Sequence, residues 1–589
     1  MTQLRASIRI SALALLVILA WEGVSRVASA QPTAQLPSLD GEAEQWVTET
    51  LARLGLEEKV GQLIVATTPT GFTNITLPPY AEMRNEIQRY HLGGMHAFRG
   101  TALSAAFLLR RLQSESSIPL LLTADLEGGA GLIFSGATRF PRAMAMGATH
   151  DLDLVFRAAR SAAREARLIG VNLSFSPVAD VNNNPDNPII NTRSFGEDPQ
   201  QVALMTSAFV RGLQEGGVLA TAKHFPGHGD TATDSHLELA VITADRARLE
   251  AVELVPFRAA IASGVAAIMT AHLAVPALDS DASRPATLSP PILTGLLRQD
   301  LGFSGLIVTD AMNMYAVSKN YPEGESAVLA LEAGADIILY PLSIAKTHVA
   351  ILQAVRSGRV TRKRLDRSVQ RILEAKARLS LNRAFDLPLE ELDRDIGSAD
   401  GQGLAQELME KAITLVRNEK NYLPLRKRQG ASCLVISVFD RFSRADSRGS
   451  QLVRALRERG QEVVSAQVDS ETSAREIELM IALARKVDFV VLPVFVRFAA
   501  FQGSLELGER QTEILTRISS DRTAHSVVAF GSPYLLSSVP TLSTYMAAYD
   551  DLPAAEIAAA RLLLGEIPFQ GKLPISLPGS DHKVGHGLN

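Results

Sequence analysis

The sequence predicts an α/β protein: a (β/α)8 barrel followed by a smaller α/β sandwich domain. Three observations carry that expectation. Eight short apolar runs, beginning near Val60, Gly93, Pro119, Val171, Gly217, Ala267, Leu306 and Asp336, alternate with stretches whose apolar residues recur three and four apart. Ionisable residues gather directly after those runs, at the strand ends where barrels of this kind carry their sites. From about Leu404 the alternation resumes, and 589 residues are too many for one core, which stops growing near roughly 250–300 residues.

In chain order, residues 1–30 read as an export signal. Arg5 and Arg9 form a basic start, Ile10 to Trp21 an apolar run, and Ala28-Ser29-Ala30 a small-residue cleavage site. A periplasmic or secreted location is therefore expected. The run is shorter than the roughly 20 residues of a membrane span, so an uncleaved anchor is the alternative. No cysteine follows it for lipid attachment. The barrel is expected over 40–385, with helices at Asp151–Gly170, Asp198–Gly216 and Ser289–Leu301 and a last one through Val360–Leu379. Residues 386–403 read as a linker, and 404–585 as the sandwich domain. Its strand candidates Cys433–Val438, Phe489–Val496 and Ser526–Phe530 imply a largely parallel sheet. Cys433 is the sole cysteine, so no intramolecular disulfide forms; its apolar run marks it as a buried strand residue.

A hydrophobic content of 46% and a charged content of 21% suit a folded globular chain. With 59 basic and 63 acidic residues there is no basic stripe, which argues against a nucleic-acid partner.

The chemistry is written after the apolar runs. The third ends in Asp125-Leu126-Glu127-Gly128-Gly129, and the fourth in Asp180, ahead of Arg193-Ser194-Phe195-Gly196. The fifth ends in Lys223-His224-Phe225-Pro226-Gly227-His228-Gly229-Asp230, then Asp234-Ser235-His236; the sixth ends at His272, the seventh at Asp310. Bringing so many ionisable groups to one rim is costly unless they are used. In Asp234-x-His236 a carboxylate beside an imidazole fixes the tautomer and stabilises the charged form, as a proton-transferring histidine requires. Asp310 should emerge at the barrel mouth as a nucleophile candidate. A histidine partner would not repel that anion, as a second carboxylate would. Alternatively His224, His228 and Asp230, joined by His272, suit zinc or manganese. Against this, Leu63–Thr68 lacks the His-x-His pair common after the first strand of metal-dependent barrel hydrolases.

The segments Lys223–His236, Arg193–Gly196, Met269–Asp279, Pro285–Ser289 and Gly302–Met314 resemble glycoside hydrolase family 3 in its β-N-acetylhexosaminidase branch. Gly531–Tyr534 and Gly571–Pro574 resemble that family's second α/β domain. The resemblance implies Asp310 as nucleophile, His236 as acid/base and Asp234 as its orienting partner. It implies that Asp125, Arg193, Lys223 and His224 hold the hydroxyls and acetamido group of the non-reducing sugar. It also implies double displacement with no metal or organic cofactor, acting on terminal β-linked N-acetylglucosamine of peptidoglycan fragments or chitooligosaccharides; a monomer is expected. One departure stands out. Where the family often has Glu-Gly-Gly-Arg-Val-x-Arg, this chain reads Glu127-Gly128-Gly129-Ala130-Gly131-Leu132-Ile133, leaving Arg139 or Arg142 to compensate. β-Glucosidase activity, phosphorolysis and a catalytically inactive glycan-binding protein stay open. No dense polar motif follows Leu404, so the second domain is expected to be chiefly structural.

Overall fold

In the computed structural model, residues 38–233, 238–383, 389–425, 431–443, 445–496, 507–521 and 523–589 are described. The export-signal reading and the Asp234–His236 pair fall outside them. Eight parallel strands make the barrel of the first sheet: β1 (Ile64–Thr70), β2 (Gly94–Thr101), β3 (Leu121–Ala124), β4 (Leu173–Ser174), β5 (Leu219–Phe225), β6 (Ala267–Thr270), β7 (Leu306–Val308) and β8 (Ile338–Leu339), with a short ninth, Phe134–Ser135, beside β2. Their order is β7-β6-β5-β4-β3-β2-β1-β8, and a parallel Val308–Ile337 bridge brings β7 back beside β8. This is the expected (β/α)8 barrel. Helices cover the outside and side chains fill the inside, so the strands are apolar runs rather than alternating ones.

Helix ends follow their capping residues. The Asp151 side chain accepts from the Leu154 N–H to open Leu152–Ile169, and Gly170, at φ 105°, closes it. Asp198 and Pro199 open Pro199–Glu215 in the same way. Two expectations shift. Val60 lies in the last turn of a helix, Leu56–Gln62, and the strand begins only at Ile64. The segment after Ser289 winds as a π-helix over Pro291–Asp300.

The second sheet holds β9 (Thr414–Asn418), β10 (Ser432–Phe439), β11 (Glu462–Val468), β12 (Phe489–Val496), β13 (His525–Gly531) and β14 (Thr544–Ala547), in the order β9-β14-β13-β12-β10-β11. All its pairings are parallel except β9 with β14. Cys433 is buried in β10, and burial pushes its thiol up to about 12.

Residues 386–403 include the helix Leu389–Asp395 and the start of a second, Ala399–Ala412. That second helix serves both domains: Ala405 and Leu408 pack into the barrel core, Met409 and Ala412 into the other. Polar contacts add to the join. Arg139 Nη2 donates to Asp550 Oδ1 at 2.7 Å and Asp551 Oδ1 at 2.8 Å, and the Arg142 N–H donates to Asp550 Oδ2 at 2.7 Å. Among the described residues no helix is long and apolar enough to cross a membrane.

Candidate active site

The fifth-strand loop is shaped by two glycines that could not be other residues. Gly227 holds φ 132°, and a Cβ at Gly229 would lie 1.7 Å from the Val181 carbonyl oxygen. That close approach seats the loop on the end of β4 and turns Lys223, His224 and His228 into the barrel mouth. All three are buried, and all three line one cavity of about 1440 Å³ with Asp125, Arg193 and Asp310.

Lys223 Nζ donates to Asp125 Oδ1 at 2.6 Å and lies 2.8 Å from Glu127 Oε1. Arg193 grips Glu127 through two parallel bonds, Nε to Oε2 at 2.9 Å and Nη2 to Oε1 at 2.8 Å. Burial pushes the Asp125 and Glu127 carboxyls up, but Lys223 with His96, and Arg193 with Lys223, outweigh it and hold both well below the usual carboxylate range. Burial lowers Lys223 while Asp125 and Glu127 raise it, leaving the ammonium charged. His96 stacks on Phe175 at 5.2 Å, donates or accepts at Thr123 Oγ1 through Nδ1 at 2.8 Å, and sets Nε2 3.4 Å from Asp125 Oδ2. The result is a fixed array of alternating charges on the cavity wall.

His224 is oriented by Asp180, whose Oδ2 lies 2.7 Å from Nδ1 and whose Oδ1 accepts the His228 N–H at 2.7 Å. Burial would raise Asp180, but His224 and His228 outweigh it and keep the carboxyl lowered. Nδ1 therefore carries the shared proton and Nε2 faces Arg193 Nη2 at 3.5 Å. His228 is pulled down to about 4 by burial and is neutral at pH 7.

Asp310 follows β7 and is half-buried. Its Oδ1 accepts the Ala311 N–H at 2.7 Å, and Oδ2 has no partner among the described residues. Burial raises this carboxyl too, but His224, His272, the Ala311 N–H and Lys223 outweigh it, so the group stays below its ordinary value. An anionic oxygen thus stands uncommitted in a walled site, as nucleophilic or electrostatic attack on an electrophilic carbon requires.

Asp310, Asp125, Arg193, Lys223 and His224 are brought together as expected. Asp234 and His236 lie outside the described residues. The candidate metal ligands are otherwise engaged: His224 with Asp180, and His272 with Thr287 Oγ1 and the Ala311 carbonyl. Among the described residues, no three His, Cys, Asp or Glu side chains converge as ligands. Of the two arginines expected to compensate for Ala130 and Ile133, Arg139 is spent on Asp550 and Asp551. Arg142 lines the cavity, and its side chain has no ion-pair partner among the described residues.

Glu127 and Asp180 were legible as strand-end carboxylates but were not assigned to the site; only the fold shows that Glu127 anchors Arg193 and Lys223 and that Asp180 anchors His224. The second domain also lines the cavity, through Asp440, Ser443 and Asp551, so it is not merely a support.

Residues 55–375 match the model of the glycosyl hydrolase family 3 N-terminal domain. A β-N-acetylglucosaminidase/β-glucosidase of Cellulomonas fimi is 34% identical over 566 residues, covering 91% of this chain and 96% of that protein. β-Hexosaminidase A of Pseudoalteromonas piscicida is 36% identical over 60% of this chain and 63% of its own length. Among solved structures, a family 3 β-N-acetylglucosaminidase from Paenibacillus sp. str. FPU-7 superposes with a TM-score of 0.80 at 34% identity, over 90% of this chain and 100% of that one. The β-glucoside phosphorylase BglX superposes at 0.82 with 28% identity, over 93% and 98%.

Proposed function

The chain belongs to glycoside hydrolase family 3, and from that premise we propose that it is a retaining exo-β-N-acetylhexosaminidase releasing terminal β-linked N-acetylglucosamine. The observation that carries this reading is Asp310: an ionised carboxylate with one open oxygen, facing the same cavity as the charged array of Asp125, Lys223 and Arg193.

In this reading Asp310 Oδ2 attacks the anomeric carbon while the His236 imidazolium, held by Asp234, gives its proton to the departing oxygen. The covalent glycosyl-enzyme is then opened by water, whose proton goes to the neutral His236. Configuration at the anomeric carbon is inverted twice and so retained. Lys223 and Arg193 donate to sugar oxygens, Asp125 accepts from hydroxyls, and His224 Nε2 meets the ring or its acetamido group. Because these groups are already locked by one another, the site needs little reorganisation to bind. The glycan is a peptidoglycan fragment or a chitooligosaccharide, met outside the cytoplasmic membrane if residues 1–30 direct export. The double name of the Cellulomonas fimi relative favours β-glucosidase as a second activity, and the likeness to BglX favours an assay for sugar-1-phosphate.

The test is hydrolysis of 4-nitrophenyl N-acetyl-β-glucosaminide, beside the matching glucoside, with and without phosphate. Asp310→Asn should lose at least about a thousandfold in kcat. A variant keeping a tenth of wild-type turnover would exclude Asp310 as nucleophile.

A further inference from the structure

We infer that Asp440, a residue of the second domain, accepts a hydroxyl of the sugar next to the ring being released, and so builds a subsite for the leaving group. The inference rests on the proposed glycosidase reading and extends it from one sugar to two.

Asp440 directly follows β10. In the second sheet, β10 has β11 on one side and β12 on the other, so the chain reverses its direction of travel across the sheet there. The crevice beyond the carboxyl ends of such strands is where open α/β sheets receive ligands. Here that crevice opens into the Asp310 cavity, because Asp440 and Ser443 line it.

The two oxygens of Asp440 do different things. Oδ1 accepts the Phe442 N–H at 3.0 Å and the Ser443 Oγ–H at 2.9 Å, and the Asp440 N–H donates to the Phe495 carbonyl at 3.1 Å. These bonds hold the turn. Oδ2 has no partner among the described residues, although the residue is only 5% exposed. A carboxylate oxygen held in place by its twin, on a buried residue that lines a cavity, is a preorganised acceptor for a hydroxyl donor. Asp551, the other second-domain carboxylate on this wall, is already engaged by Arg139.

Size agrees. About 1440 Å³ exceeds the roughly 300–1,000 Å³ of ordinary small-molecule pockets, so the cavity admits more than the ring gripped by the barrel.

Asp440→Asn tests this cleanly. It keeps an oxygen for the two turn donors and replaces the open oxygen with an NH2. Wild type and variant are compared on chitotriose and on 4-nitrophenyl N-acetyl-β-glucosaminide, whose leaving group carries no sugar hydroxyl. The ratio of kcat/KM for chitotriose to that for the aryl substrate should fall roughly five- to tenfold, because an amide donor stands where the anionic acceptor was and the sugar hydroxyl can no longer donate there. A ratio equal to that of wild type, whatever happens to the absolute rates, overturns the subsite. Asp440→Ser, with melting curves for both variants, gives the same ratio should the amide disturb the turn. If the wild type cleaves neither substrate, the glycosidase reading has failed separately. Calorimetric titration with chitotriose then decides the subsite: weaker binding by Asp440→Asn upholds it, equal binding removes it.

Discussion

Lys376 should weaken this protein at neutral pH, and replacing it with Met should strengthen it. The side chain is fully buried in the helix Arg362–Arg378, and its ammonium donates to Gln62 Oε1 at 2.6 Å. Gln62 in turn donates to the His91 carbonyl at 2.7 Å. Burial drops the lysine from 10.5 to about 7, which corresponds to about 5 kcal/mol against the charged form. Because the native value lies below the unfolded one, the native state binds fewer protons between pH 7 and 10.5, and stability rises with pH across that window. Below it the full cost is present. Lys376→Met removes that cost but leaves Gln62 Oε1 without its donor, a loss of about 1–3 kcal/mol. The variant should therefore be more stable than wild type by about 2–4 kcal/mol at pH 6, equal to it somewhere between, and less stable by pH 10.5. Trp46 packs on the barrel core from the helix Gly41–Arg53, which lies against the Lys376 helix, so urea unfolding followed by its fluorescence reports the right region. A stability difference that stays constant from pH 6 to 10 would refute the argument.

Two further outcomes follow from the ion pairs. Arg139→Met removes the guanidinium from Asp550 and Asp551, whose side chains are 1% and 5% exposed. Since Arg139 itself is about a third exposed, the loss should be about 2–3 kcal/mol, at or below the low end for a broken buried pair, and calorimetry should show it as an earlier transition of the second domain; an unchanged melting profile would mean the lock contributes nothing. Glu127→Gln puts an amide N–H against the Arg193 fork and should lower kcat/KM for the aryl glycoside about a hundredfold by releasing Arg193 and Lys223; unchanged kinetics would show that neither cation needs it.

Much of the fold was legible because its signals are local. Asp151 and Gly170, or Asp198 and Pro199, announce helix ends through their own backbone chemistry, and the observed ends fall within a residue of the expected ones. Val60 was placed in a strand because a seven-residue helix is too short to display its period before β1 begins. The edge strand Glu462–Val468 was passed over because most of its side chains face solvent, which leaves little apolar pattern to read. In the site, residues in dense motifs were found and isolated ones were not. Asp440 and Asp551 sit in ordinary turns, and only folding brings them to the mouth of a barrel whose strands end hundreds of positions earlier. Arg139 shows the converse: close in sequence to the missing arginines and on the cavity wall, it is consumed by a contact that the sequence does not announce.

Two sheets thus aim their carboxyl edges at one another across a shared slot. The barrel side is knitted from mutually dependent charges, where any exchange disturbs several neighbours. On the opposite side Asp440 is held by its own turn and the neighbouring strand. That turn can therefore be edited with little disturbance to the charged array on the barrel.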